Sequence, residues 1–115
     1  MTTRPKHPGG ELIPRPARTP DALRVALARI APHRLEEMDR QKNEAFSMAV
    51  QHDTIGPMRM WLLMWSGEVE IERRPDLYER RRNAEESAAA LPPEAPAWRA
   101  AMDEIVALTE EARSP

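Results

Sequence analysis

Twelve prolines in 115 residues set the partition of this chain. Proline lacks the backbone donor that a helix interior needs and fits only the first helical turn. No regular helix therefore runs through Pro20, Pro32, Pro57, Pro75 or Pro96. The segments between these residues are rich in alanine, leucine, glutamate and arginine, which favour helix, and glycine is held to four residues. β-branched residues are too thinly spread to supply several strands. The reading is an all-α chain, a compact bundle of about five helices, with length enough for one domain.

Each segment carries its own signals. Thr19 is a good N-cap, Pro20 suits the first position and Asp21 complements the helix dipole. Leu23, Ala26, Leu27 and Ile30 then mark one apolar face. A second helix is expected from about Pro32 to His52, burying Leu35, Met38, Ala45, Ala49, Phe46 and Val50, with "HDTIGP" as the turn after it. A fourth begins at Pro75, with Leu77, Tyr78, Ala84, Ala88 and Leu91 inward. The last opens at Pro96 and lines Trp98, Ala101, Met102, Ile105, Leu108 and Ala112 along one side.

The third segment, "MRMWLLMWSGEVEIERRP", is ambiguous. Met58 to Trp65 holds two of the three tryptophans and three of the seven methionines. As a helix it has one stripe of Met58, Trp61, Leu62, Trp65 and Val69 and a second of Met60, Leu63, Met64 and Ile71. An all-round apolar helix is a buried one. Glu68-Val69-Glu70-Ile71-Glu72 alternates as a strand does, but no second strand is available to pair with it. Helix is preferred, with a kink at Ser66-Gly67 and the three glutamates as solvated charge. Apolar surface that the other helices fail to cover would form a partner or homodimer surface.

Residues 1–18 carry Arg4, Lys6, Arg15 and Arg18 against Glu11, together with four prolines and two adjacent glycines. They read as a disordered basic arm that Leu12 and Ile13 could pin to the body. Residues 19–92 form the helical core domain, and 93–115 a Pro-rich linker, "LPPEAP", followed by an acidic amphipathic helix. Its Trp98, Met102 and Ile105 are candidate anchors for a protein partner, with Glu104, Glu110 and Glu111 facing a basic one.

Chemistry is sparse. The absence of cysteine excludes disulfides and thiolate sites and suits a reducing cytoplasm; no apolar run approaches a membrane span. Three histidines supply neither a triad nor a clear metal site; His33 with Glu36 and Glu37 has ligand spacing but reads as surface charge. No glycine-rich phosphate loop or nucleophile elbow is present. No catalytic residue, cofactor or metal is assigned, and a non-enzymatic interaction protein is expected. The alternative is a nucleic-acid-associated protein using Arg73, Arg74, Arg80, Arg81 and Arg82 with the basic arm, although the net charge of −2 speaks against a dedicated binder.

The run from Thr19 to Arg82 resembles an uncharacterised family of short proteins from Streptomyces and related actinobacteria. The resemblance rests on Pro20-x-x-Leu23-x-x-Ala26-Leu27-x-x-Ile30-x-Pro32, on Pro57, Leu62 and Trp65, and on Arg74-Pro75. It implies a small helical protein whose genes often neighbour toxins of the RelE/ParE type, and hence an antitoxin-like inhibitor of a basic toxin-like protein.

Overall fold

The computed structural model of the chain describes residues 10–115, so the expected disorder of residues 1–9 lies outside the described residues. The order is α1 (Pro20–Ile30), a 3₁₀ turn (Pro32–Arg34), α2 (Leu35–His52), α3 (Gly56–Arg73), α4 (Pro75–Ala90) and α5 (Pro96–Arg113), with no strand among the described residues. Proline occupies the first turn of the 3₁₀ segment and of every α-helix except α2. The Thr19 hydroxyl accepts the Ala22 N–H at 3.2 Å, as an N-cap should. α2 ends on Asp53, whose φ of 50° places it in the left-handed region.

α3 is the axis of the fold. It packs against each of the other four helices, whereas neither α1 nor α2 packs on α4 or α5 among the described residues. Two cores result. In the first, Leu23, Ala26 and Leu27 of α1 and Met38 and Ala45 of α2 surround Trp61, Trp65 and Val69. In the second, Ile71 meets Leu77 of α4 and Leu108 and Ala112 of α5. Both buried indoles are satisfied: Trp61 Nε1 donates to the Met38 carbonyl at 3.2 Å and Trp65 Nε1 to Gln41 Oε1 at 3.0 Å.

α3 runs without interruption through Ser66-Gly67, where a kink was expected. The Ser66 hydroxyl bonds back to the Leu62 carbonyl at 2.6 Å within the helix. At Gly67 the α5 helix end comes so close that Arg113 Cγ lies 2.8 Å from where a Cβ would stand. A Cβ there would force the Arg113 side chain to shift.

Three expectations are corrected. Glu70 and Glu72 are buried rather than solvated. Phe46 and Val50, expected inside, are 61% and 66% exposed. Residues 10–18, read as part of a mobile arm, lie on the body. Leu12 and Ile13 are buried, the Leu12 N–H reaches the Arg73 carbonyl at 2.8 Å, and Arg73 donates to the Ile13 carbonyl at 3.0 Å. Arg18 then donates at 2.7 Å to the carbonyls of both Arg113 and Ser114, and Arg15 also binds the latter. Cations at a helix C-terminus satisfy orphan carbonyls and the dipole together.

Candidate interaction surfaces

The arginines singled out as a nucleic-acid surface are committed within the protein. Arg73 is buried and grips Glu70 through two hydrogen bonds of 2.7 and 3.0 Å. Arg74 pairs with Asp76 at 2.7 Å, which raises the pKa of the guanidinium and lowers that of the carboxyl; burial acts against both. Arg81 binds Glu68 at 2.8 Å and approaches Glu72 and Glu85. Arg82 pairs with Glu86 at 3.2 Å along its own helix. Arg80 crosses from α4 to α5, holding Glu104 and, at 2.6 Å, Glu111. Those two hydrogen bonds push its pKa above the ordinary value.

The same contacts bear on α5. Glu104 and Glu111 turn towards Arg80, so of the three acidic residues expected to face a partner only Glu110 has no ion pair among the described residues. Trp98, Met102 and Ile105 share one flank of α5 and are half-buried. The helix is not a loose appendage, because Leu108 and Ala112 complete the second core.

A further ionic bridge joins the two halves of the molecule. Arg34, from the 3₁₀ turn, reaches Glu68 at 2.9 Å and Glu72 at 3.3 Å, the same two carboxylates that take Arg81. Burial disfavours the Arg34 charge, yet Glu68, with Glu37 and Glu72, outweighs it and raises its pKa. Its guanidinium also lies 5.0 Å from the Trp65 ring centroid, a cation–π distance.

The surface of a different character is the free end of the α2–α3 hairpin. Among the described residues nine large apolar side chains are exposed, and seven lie between positions 46 and 64: Phe46, Met48, Val50, Ile55, Met60, Leu63 and Met64. Phe46, Val50, Ile55 and Met58 line an open groove of about 490 Å³ with Ala49, Asp53 and Thr54. Met60, Leu63 and Met64 stand seven, four and three residues before Gly67. Helical register therefore places them on the flank of α3 that α5 covers farther along. No ion pair among the described residues involves positions 45–67, and the charged Asp53 and Arg59 there are exposed.

The hairpin end was partly visible in the sequence. The surplus of apolar stripes on α3 signalled Met60, Leu63 and Met64, whereas Phe46, Met48, Val50 and Ile55 were missed or assigned to the core. No group of three or more metal-ligating side chains occurs among the described residues, and His33 and His52 are exposed. No helix among them is long and apolar enough to cross a membrane. Compared with protein-family models, curated proteins and solved structures, the chain matches none.

Proposed function

We propose that this protein is a non-catalytic interaction module that docks a protein through the apolar end of its α2–α3 hairpin. One observation carries the reading: seven of the nine exposed large apolar side chains among the described residues fall in 19 consecutive positions around the hairpin end, on more than one of its faces, and Phe46, Val50 and Ile55 share one groove. Scattered exposed hydrophobes need no explanation, but a gathered set rimmed by polar residues marks an interaction site. Methionine contributes three of the seven. Its flexible thioether suits a surface that adapts to what it binds. The apolar character favours a partner offering apolar side chains over one selected by charge alone.

The test is capture from the native host with tagged full-length chain, nuclease-treated, comparing wild type with Phe46→Asp. A protein retained in stoichiometric amount by wild type and lost from the variant is the expected result. Identical retention by both chains, with the variant folded by circular dichroism, would show that the hairpin end is not the docking surface.

A further inference from the structure

Resting on that reading, we infer that the groove at the hairpin end takes a basic amphipathic helix of another protein, its apolar side chains on Phe46, Val50 and Ile55 and a lysine or arginine on Asp53. Phe46, Ala49, Val50 and Asp53 stand at i, i+3, i+4 and i+7 of the α2 register, which is one face. All four line the same groove, with Ile55 and Met58 opposite. Met58 packs on the first core, so the groove floor is continuous with the interior.

The order of groups along that face sets what fits it. Phe46 to Val50 covers about 6 Å of helix, and Asp53 follows about 4.5 Å farther on. A helix laid in the groove matches this with apolar side chains three or four residues apart and a cation one turn beyond them.

Charge complementarity selects the cation. Asp53 is the one charged side chain among the described residues that line the groove, and it is exposed. His52 and Arg59, the nearest basic residues in sequence, make no ion pair with it. Asp53 closes the C-terminal end of α2, where the helix dipole already presents partial negative charge. No backbone N–H among the described residues reaches the Gln51 or His52 carbonyl there. The protein fills an equivalent end elsewhere with its own cations, since Arg15 and Arg18 donate to the carbonyls that close α5. At α2 a partner's cation would meet the carboxylate and the helix end together.

The experiment selects phage-displayed peptides of about 16 residues, long enough to hold a helix, on the full-length chain, with Phe46→Asp as decoy. Enriched peptides should carry two apolar residues three or four apart and a lysine or arginine one turn beyond. The most enriched peptide is then synthesised and titrated by fluorescence anisotropy. Asp53→Asn, which tolerates the left-handed conformation, should weaken its binding about threefold at low salt, as for an exposed ion pair. Asp53→Lys should weaken it about tenfold, and exchanging the peptide's cation for glutamate should restore binding to that variant. Phe46→Asp should weaken every enriched peptide about tenfold or more.

Enriched peptides without a basic residue, or binding that Asp53→Asn and Asp53→Lys leave unchanged, overturn the inference. If Phe46→Asp still loses a host protein, the groove docks a partner that charge does not select, and the docking reading survives. No enrichment over the decoy also overturns the inference; joined to identical host retention by both chains, it removes both readings. Wild type that sediments at twice 13.1 kDa while Phe46→Asp stays at that mass would give the groove to a second copy and overturn the assignment.

Discussion

Arg73→Met should be among the most destabilising single substitutions in this protein, and Glu70→Met in the same chain should largely reverse it. The Glu70 and Arg73 side chains are only 6% and 9% exposed, and two hydrogen bonds of 2.7 and 3.0 Å join them. Methionine keeps the volume of the arginine stem and removes the guanidinium. That leaves a buried carboxylate with Arg15 at 3.4 Å and Arg74 at 3.8 Å as its remaining partners. It also strips the Ile13 carbonyl of its donor. Removing one member of a buried pair costs about 3–5 kcal/mol. The two longer contacts recover part of this, so a loss of roughly 2–4 kcal/mol is expected. A domain of this length has about 6 kcal/mol or somewhat more in total, so the loss approaches half of it.

Urea unfolding followed by circular dichroism reads the effect directly. With a slope of about 1.5 kcal/mol/M, the midpoint should fall by roughly 2 M in Arg73→Met. Glu70→Met alone should also destabilise, because it leaves the Arg73 guanidinium buried with only the Ile13 carbonyl. The double variant should lie within about 1 kcal/mol of wild type, since two apolar side chains replace two desolvated charges. A cost below about 1 kcal/mol for Arg73→Met, or a double variant as unstable as the sum of the singles, would refute the claim that this pair is coupled and desolvated.

Other expectations follow from single contacts. Thr19→Ala removes the N-cap of α1 and should cost about 1 kcal/mol, seen as a fall of about 4 °C in Tm. Asp53→Gly relieves a non-glycine residue at φ 50° and should stabilise by about 0.5 kcal/mol in the same melt. Asp39 and Asp76 have pKa values lowered chiefly by hydrogen bonds from Arg24 and Arg74. Their contribution is therefore complete above the ordinary carboxylate value near 4 and is lost as pH falls through the lowered native values. The urea midpoint should drop modestly below pH 4, and Asp39→Asn with Asp76→Asn should flatten that slope. Finally, because the Arg73–Arg82 guanidiniums are internally paired, fluorescence anisotropy should show no steeply salt-dependent binding to duplex DNA or RNA, and a steep slope would revive that surface.

Proline position and apolar spacing were enough to mark the five helices, because both act within a single turn. What they could not show is which parts of a helix its neighbours reach. α1 has 11 residues, whereas α2 and α3 have 18 each. At 1.5 Å per residue that is about 16 Å laid against a hairpin of about 27 Å. Phe46 and Val50 belong to a stripe that would be buried under a longer first helix, and here they stand beyond its reach. The burial of Glu70 and Glu72 was equally hidden. Their counter-charges include Arg15 and Arg34, distant in sequence and brought alongside only by the fold. The acidic flank of α5 was legible as charge, but its neutralisation by Arg80 depends on how α4 and α5 pair.

The strand-like alternation of Glu68 to Glu72 has its explanation in the double core. Successive helical residues are about 100° apart, so positions two apart face nearly opposite ways and positions four apart nearly coincide. Val69 and Ile71 therefore enter different cores, the first against α1 and α2, the second against α4 and α5. Glu68 and Glu72 fall on one line, where Arg34 and Arg81 take both carboxylates from the two sides. Glu70 falls on the other and takes Arg73, Arg74 and Arg15. A helix packed on one side only would need a single stripe at a spacing of three and four. A helix shared by two helix pairs needs an aliphatic residue on each of two opposed faces, separated by lines of charge, and over five residues that requirement reads as a period of two. The pattern that argued for a strand is thus what a central helix between two cores demands.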